Sequence, residues 1–165
     1  MRYALLTKHI LQPAQQGKIR SGNMFVVTKD GKIEYVAAAP EKVKQELDKL
    51  YADIDLLLNT ELNIKEVLFF ASMIHLMFVK IHPFEDGNGR TARLLEKWFI
   101  SGKLGAKAWF IQSEKNYYDN RLDYFNCIRA IGLNYDKLDY QQSLEFLLLS
   151  ESFEKRQGLL EEQIA

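Results

Sequence analysis

The clearest pattern in the chain is a stripe of apolar residues at three- and four-residue spacing after Pro40. That spacing places the apolar side chains on one face of a helix, and a proline suits the first helical turn. The pattern therefore predicts an amphipathic helix over residues 41–58. Its apolar positions are Val43, Leu47, Leu50, Ile54 and Leu58.

A second helix is predicted after Asn63, which is followed three residues later by Glu66 in the pattern of a capping box. The next residues are apolar nearly all round, so this helix should lie at the centre of the core. The apolar stretch 67–79 is interrupted by Ser72 and His75, and it is shorter than the roughly 20 residues that cross a bilayer. We therefore expect no membrane span and no membrane partner.

Two short runs of β-prone residues, 24–27 and 33–36, precede the first helix. The residues between them include Asp30-Gly31, a pair that favours a tight turn between strands. This part of the chain therefore predicts one β-hairpin.

The helical pattern is interrupted at Pro83, resumes with Leu94 and stops at Gly102. Further helical patterns run from about residue 117 to 131, and from about residue 136 into the charged segment 151–163. No repeat, low-complexity tract or linker divides the chain. The pattern as a whole predicts a single all-α domain over residues 1–165, with one short hairpin and a C-terminal helical segment over residues 151–165.

Composition changes this picture only by exclusion. Lys plus Arg and Asp plus Glu both total 22, so the formal net charge is zero. No global field then favours DNA or an anionic membrane, and any anion site must be local. The single cysteine, Cys127, cannot form an internal disulfide, and residues 1–10 do not have the pattern of a signal peptide. We therefore expect a cytoplasmic protein.

Candidate chemistry is concentrated in residues 81–93, Ile-His-Pro-Phe-Glu-Asp-Gly-Asn-Gly-Arg-Thr-Ala-Arg. Gly87 and Gly89 flank Asn88 there. Because glycine permits positive φ and close backbone approach, consecutive N–H groups can form an anion nest at this turn. The amides and dipole of the following helix would strengthen it, so we predict a phosphate site.

The charged residues around the turn suit a metal-bound nucleotide. Arg90 and Arg93 share one face of the following helix, where two guanidinium groups can hold a polyphosphate. Asp86 is placed to hold Mg²⁺ or Mn²⁺ between phosphate oxygens, since Mg²⁺ often takes only one or two protein carboxylates. His82, with an unperturbed pKa of about 6.5, is the candidate general base. Phe84 is expected to anchor the loop in the core.

Two simpler interpretations of the turn are weaker. An isolated Asp-Gly-Asn-Gly is most often an ordinary solvent turn, but here it is flanked by His82 and two arginines. A calcium loop would need oxygen ligands where the chain has Arg90 and Lys97.

The stretch from His82 to Arg93 resembles the signature of the Fic family, His-x-Phe-x-(Asp/Glu)-Gly-Asn-Gly-Arg-x-x-Arg, at every fixed position. The resemblance extends to Gly-Lys-Ile-Arg at residues 17–20, to the hairpin and to the apolar helix before the motif, and it covers about residues 15–150. It implies a compact helical bundle in which the hairpin, about Met24 to Val36, is a flap that docks the target protein.

This resemblance also implies a protein adenylyltransferase, which moves AMP from ATP onto a Ser, Thr or Tyr hydroxyl (AMPylation) and releases pyrophosphate. It makes His82 the base and Asp86 the metal ligand. The nucleotide-binding residues would be Gly87, Asn88, Gly89, Arg90 and Arg93. By the same likeness, adenine or ribose contacts would come from Tyr117, Tyr118 and Asn120, for which core packing is the alternative.

Residues 150–155, Ser-Glu-Ser-Phe-Glu-Lys, resemble the inhibitory helix of some Fic proteins. By that likeness Ser150 and Glu154 would be inhibitory, and Glu154 would compete with the γ-phosphate for Arg93. Lys155 departs from the pattern, and a solvated charged helix face is the alternative.

Other functions stay open. Fic relatives that act as kinases carry lysine where this chain has Asp86, which disfavours that activity. The remaining alternatives are UTP or CDP-choline as donor, a toxin-like regulator held by an antitoxin, a homo-oligomer, and a binding module whose catalysis has decayed. His9 and His75 are expected to be structural or surface residues, and Cys127 a small buried hydrophobe.

Overall fold

The computed structural model describes residues 17–28, 30–111 and 113–148. These residues form a two-stranded antiparallel hairpin followed by helices. The strands are β1 (Phe25–Val27) and β2 (Ile33–Val36), and the α-helices are α1 (Pro40–Leu58), α2 (Ile64–Ile81), α3 (Asn88–Leu104), α4 (Ser113–Asp119) and α5 (Arg121–Ala130). The predicted all-α fold with one β-hairpin is confirmed.

β2 is the more buried strand of the hairpin. The amide of Thr28 donates to the carbonyl of Lys32 at 2.8 Å and closes the turn. Tyr35 on β2 is 3% exposed, whereas Phe25 on β1 is 51% exposed. The carboxylate of Glu34 accepts from the guanidinium of Arg129 on α5, which ties the hairpin to that helix. One side chain of β2, Tyr35, therefore reaches the helical core.

α1 and the start of α2 follow the sequence pattern closely. The predicted stripe of α1 is buried at Val43, Leu47, Leu50 and Ile54. The capping box is present, because Asn63 Oδ1 accepts from the amide of Glu66 at 3.0 Å and Glu66 Oε2 accepts from the amide of Asn63 at 2.8 Å. Two otherwise unpaired amides of the first turn are thus satisfied.

α2 is the centre of the core, as predicted. Leu76, Phe78 and Ile81 are fully buried, and burial of each such side chain contributes about 1.5–3 kcal/mol. α2 packs most extensively against α3 and also against α1. In the part of the chain that the structure describes, no helix has both the length and the apolar character needed to cross a membrane.

The predicted end of α3 at Gly102 is wrong. α3 continues to Leu104, and Gly105 follows with a φ of 90°. Gly102 lies inside the helix, where a Cβ would meet Leu58 Cδ2 at 3.3 Å, so it serves close helix packing. The left-handed backbone that ends a helix is found at Gly105 instead. A 3₁₀ turn at Ala106–Phe110, which the pattern did not predict, comes next.

The helix predicted from 117 to 131 is also corrected. The chain forms α4 and α5, separated at Asn120. The side-chain amide of Asn120 donates to the carbonyl of Asn116 at 3.0 Å. The backbone amide of Asn120 also donates to that carbonyl, at 2.9 Å, and its φ of −109° and ψ of 39° depart from the helical conformation. Apolar periodicity does not show such a break.

The predicted start of the next helix, at about residue 136, is likewise wrong. The chain forms 3₁₀ turns at Tyr135–Lys137 and Tyr140–Ser143, with extended backbone at Leu138 between them. Residues 144–148 are helical, and the segment 151–165 lies outside the described residues.

Candidate active site

The motif loop connects the end of α2 to the start of α3. His82 is the C-cap of α2 and has a left-handed backbone, with φ 51° and ψ 61°. Among the described residues, no other non-glycine residue has a positive φ. Such a conformation is unfavourable for a residue with a Cβ and persists where the surrounding structure enforces it, often at functional sites. Nothing in the sequence pattern predicted it.

The imidazole of His82 is held by one of its two nitrogens. Nδ1 lies 3.0 Å from the hydroxyl oxygen of Tyr35 and 3.3 Å from the carbonyl oxygen of Val79. No group in the described part of the chain forms a hydrogen bond with Nε2. The ring is therefore fixed in orientation while one nitrogen stays open.

Burial lowers the pKa of His82 to about 4, and the positive charge of Arg20 acts in the same direction. The carbonyl of Val79 and the carboxylate of Asp86 oppose that shift. At neutral pH the imidazole is therefore uncharged, the form that can accept a proton.

Arg20 fixes the backbone on which His82 stands. Its side chain is 3% exposed, and its Nε donates to the carbonyl of His82 at 2.6 Å. One Nη donates to the carbonyls of Ile81 at 3.2 Å and Ala38 at 2.5 Å. A cation that binds the last carbonyls of a helix also faces the negative end of its dipole.

Sequence reasoning noted Arg20 only as part of the resemblance and gave it no role. A buried arginine has no local signature when, as here, most of its acceptors lie far away along the chain. The one available signal was the Gly-Lys-Ile-Arg segment itself at residues 17–20.

Asn88 shapes the loop from inside. Its Oδ1 accepts from the amide of Phe84 at 2.9 Å, and its Nδ2 donates to the carbonyl of the same residue at 2.7 Å. Asn88 is 2% exposed, and the ring of Phe84 is 8% exposed and packs at 6.0 Å from the ring of Phe78. The side chain of Asn88 is thus committed to the loop, and only its backbone N–H is available to a phosphate.

The two glycines of the motif have different conformations. Gly87 is the N-cap of α3 with a φ of 81°, as expected for the nest. Gly89 lies in the helix, and a Cβ there would approach Arg93 Nη1 to 3.4 Å. The first intrahelical bond runs from the amide of Thr91 to the carbonyl of Gly87 at 2.9 Å. The amides of Asn88 and Gly89 precede it and have no acceptor within the helix.

Asp86 precedes the start of α3, and Arg90 and Arg93 lie within the helix. Arg90 donates to Asp86 Oδ2 at 2.8 Å in an ion pair whose side chains are 35% and 49% exposed. Within the described residues, no group of three or more His, Cys, Asp or Glu is arranged to hold a metal ion.

A cleft of about 460 Å³ opens beside Arg93. Its wall is largely aromatic and comes from α4 and α5. It is lined by Arg93, Glu114, Tyr117, Tyr118, Arg121, Tyr124 and Phe125. Asn120 is not among the lining residues, since its side chain is bonded to Asn116.

The other predicted residues lie away from this loop. His75 is fully buried, with Nδ1 at 2.6 Å from Glu96 Oε2 and Nε2 at 3.0 Å from the hydroxyl of Tyr124. Cys127 is a buried free cysteine. His9, Ser150 and Glu154 lie outside the described residues.

Comparison with known proteins decides the family. The profile of the Fic/DOC family matches residues 3–100. The chain belongs to the Fic/DOC family. This Fic domain is similar to a protein named protein adenylyltransferase Fic from Nematostella vectensis, with 40% identity over 83 residues, which are 50% of this chain and 17% of that relative. It is also 37% identical over 83 residues to protein adenylyltransferase fic-1 from Caenorhabditis briggsae, covering 50% of this chain and 15% of the relative.

Solved structures agree on the fold. A Fic domain-containing signaling protein from Bacteroides thetaiotaomicron is 28% identical, with a TM-score of 0.66 over 85% of this chain and 52% of that one. A Fic family protein from Desulfovibrio desulfuricans G20 has a TM-score of 0.71 at 22% identity, over 93% of this chain and 44% of that one. The chain spans less than a fifth of the two curated relatives named above.

Proposed function

We propose that this chain is a protein adenylyltransferase, which transfers AMP from ATP to a Ser, Thr or Tyr hydroxyl of a target protein. The observation that carries the proposal is the state of His82. Its ring is neutral at physiological pH, is fixed through Nδ1 and presents Nε2 in the loop that leads into α3. The names of the curated relatives point to the same activity.

The start of α3 supplies the phosphate site of this proposal. The amides of Asn88 and Gly89 precede the first intrahelical bond, and the positive end of the helix dipole adds to them. Arg90 and Arg93 follow on the same helix, so their guanidinium groups are placed to neutralise phosphate charge. Transfer at phosphorus depends mainly on such positioning and neutralisation.

Asp86 fits a magnesium ion that is bound together with the nucleotide. Its carboxylate is half-exposed and stands just before the phosphate site, and Mg²⁺ keeps several waters and takes one or two carboxylates beside phosphate oxygens. When bound, the ion would supply charge neutralisation at the phosphates. Asp86 would exchange its ion pair with Arg90 for the cation, which frees that guanidinium for phosphate.

His82 handles the proton in the transfer. The target hydroxyl oxygen forms a bond to the α-phosphorus, its proton moves to Nε2, and the bond from the α-phosphorus to the bridging oxygen of the β-phosphate breaks. Pyrophosphate leaves with that oxygen. Because the pKa of His82 is about 4, the ring takes the proton as the new bond forms, since only then is the hydroxyl acidic enough.

The aromatic cleft is the proposed nucleoside site. It adjoins Arg93, which belongs to the phosphate site, and its Tyr118 wall offers a ring and a hydroxyl. Tyr117 is buried, and its hydroxyl donates to Glu96. Its volume of about 460 Å³ lies within the usual range of about 300–1,000 Å³ for small-molecule sites. Asn120 is not part of this proposal.

The hairpin is the proposed docking surface for the target. Phe25 and Val27 of β1 are exposed. In the described sheet β1 pairs only with β2, so its other edge is open. An extended segment can add to such an edge through backbone hydrogen bonds, which favours broad target selection.

The proposal is tested with ATP labelled at the α-phosphate or at the γ-phosphate. We expect α-label on the chain itself or on lysate protein, no γ-label on protein, and loss of labelling by about 10²- to 10⁴-fold in His82→Ala. The matched control is Asp136→Asn, an exposed acidic residue paired with Lys42, which should label like the unchanged protein.

Three outcomes would reject the proposal. Protein labelled only from the γ-phosphate would indicate a kinase, and α-label found only as free AMP would indicate hydrolysis. Labelling that survives in a folded His82→Ala variant would remove the base from the mechanism. Parallel reactions with UTP and CDP-choline decide between nucleotide donors, and Glu154→Gly tests whether the C-terminal segment inhibits transfer.

A further inference from the structure

The carbonyl oxygen of Val79 is left without a helical partner by the sequence. In an α-helix it would accept from the residue four positions on, but that residue is Pro83, which has no N–H. Two other groups approach this oxygen instead. The Tyr35 hydroxyl donates to it at 2.9 Å, and Nδ1 of His82 lies 3.3 Å from it.

These contacts determine where His82 carries its proton. A carbonyl oxygen can only accept, so the Tyr35 hydroxyl uses its single hydrogen on Val79. The tyrosine oxygen, 3.0 Å from Nδ1, then meets the ring as an acceptor. Both neighbours of Nδ1 are therefore acceptors, and the neutral ring places its hydrogen on Nδ1. Nε2 keeps its lone pair.

The hydroxyl of Tyr35 is a stable partner in this arrangement. Its residue is 3% exposed, and burial raises its pKa well above the ordinary value of 10, so the hydroxyl keeps its hydrogen. The ammonium of Lys80 stands 4.7 Å from the centre of the ring and donates to the carbonyl of Gly132 at 2.8 Å. The ring of Tyr35 is thus held from its face as well as from its hydroxyl.

We propose that Tyr35 of the hairpin is a positioning residue that sets the tautomer of His82 and so presents Nε2 as the base. The inference rests on the adenylyltransferase proposal above for its catalytic consequence, but the tautomer itself is a property of the nucleotide-free protein. It gives the hairpin a second part in the reaction, because β2 carries the group that orients the base.

The test removes the hydroxyl and keeps the ring. Tyr35→Phe retains the ring on which Lys80 stands, and the matched control is Tyr135→Phe, whose hydroxyl donates to Glu46 Oε2 at 2.8 Å away from the motif. Long-range ¹H–¹⁵N correlation spectra of protein labelled at histidine report the tautomer, and His82→Gln assigns the signals. Labelling kinetics give kcat and the KM for ATP in parallel.

We expect the unchanged protein and Tyr135→Phe to show His82 with hydrogen on Nδ1. In Tyr35→Phe we expect a mixture that includes the Nε2–H form, with kcat lower by about tenfold, the low end of what a general base contributes, and the KM for ATP unchanged. A purely structural role for Tyr35 would instead lower stability and leave the tautomer as it was.

Nε2–H as the main form in the unchanged protein would overturn the inference, and so would a Tyr35→Phe spectrum identical to that of the control. If the unchanged protein transfers no AMP, the spectra alone decide. A tautomer that responds to Tyr35 then supports the positioning role while the proposed function fails.

Discussion

His75 and His82 stand seven residues apart at the same helix, yet the structure gives them opposite characters. His75 is fully buried, and both of its nitrogens have partners, Glu96 and Tyr124. His82 has partners at Nδ1 and none at Nε2 among the described residues. A histidine with both nitrogens satisfied ties helices together, whereas one with an open nitrogen can exchange a proton with a substrate.

The surroundings of the two rings differ in the same sense. Around His75 the polar atoms satisfy one another, since Tyr117 also donates to Glu96 Oε1 at 3.3 Å. The imidazole of His82 contacts the carbonyl of Val79 and the hydroxyl of Tyr35, both at Nδ1, and these contacts orient the ring while leaving Nε2 open. The two rings therefore differ more in the number of nitrogens with hydrogen-bond partners than in burial.

The largest effect on stability is expected from breaking the buried hydrogen-bond cluster of His75, Glu96, Tyr117 and Tyr124. Glu96→Ala leaves the buried His75 Nδ1 and the Tyr117 hydroxyl without their partner, so the free energy of unfolding should fall by about 3 kcal/mol. Urea titration measures it. Asp48→Ala, which removes an exposed pair with Lys44, should cost less than about 1 kcal/mol.

At a temperature where Glu96→Ala is folded, AMP transfer should fall less than it does in His82→Ala. The comparison of the two histidines fails if Glu96→Ala keeps its stability and loses transfer as completely as His82→Ala does.

An effect on stability of similar size is expected from protonation of His82. Its folded pKa of about 4 lies below the unperturbed value of about 6.5. As pH falls from 6.5 to 4, the unfolded chain therefore binds the proton first, and stability decreases through that window by about 3 kcal/mol. The stability lost is regained above pH 6.5.

The contribution of His82 is isolated by difference. Unfolding free energies of the nucleotide-free protein and of His82→Gln are measured between pH 4 and 7.5, because other groups titrate equally in both. The difference between the two should shrink or reverse as pH falls. Parallel curves across the whole pH window would show that folding does not lower the pKa of His82.

The smallest effects on stability are expected at the two glycines of the motif, where substitutions should change stability and ATP binding differently. Gly87→Ala forces a Cβ into a φ of 81° and should cost about 1 kcal/mol. Gly89→Ala lies in the first turn of α3 and should add about 0.5 kcal/mol of stability. The added methyl group would nevertheless lie at the proposed phosphate site, 3.4 Å from Arg93 Nη1, so calorimetry should show weaker ATP binding. Equal ATP affinity in Gly89→Ala would place the phosphates elsewhere.

Local signals predicted much of the fold. Apolar spacing and the Asn63–Glu66 capping box gave α1 and α2, and Asp30-Gly31 gave the hairpin. The errors arose at two residues. Gly102 stays helical, although glycine often ends a helix, because α1 packs closely on it. Asn120 separates α4 from α5, and its side chain bonds the carbonyl of Asn116.

The candidate site was predicted in its residue types but not in its support. Pro83 is visible in the sequence, but the consequence for the Val79 carbonyl depends on what approaches it. Asn88 was predicted to bind phosphate through its backbone N–H, and the hydrogen bonds of its side chain to Phe84 could not be predicted. The missed groups, Arg20 and Tyr35, act through contacts that no local pattern records.

Local sequence patterns are enough to predict the first three helices, the glycine turn between two of them and the chemical groups gathered there. Which histidine keeps an open nitrogen, and what holds that ring, depends on the folded chain. The reason is distance along the chain, because the Tyr35 hydroxyl is 47 positions from His82 and the Arg20 guanidinium 62 positions. Helical periodicity reports neighbours within a turn or two, and hydrogen bonds across such separations exist only once the chain has folded.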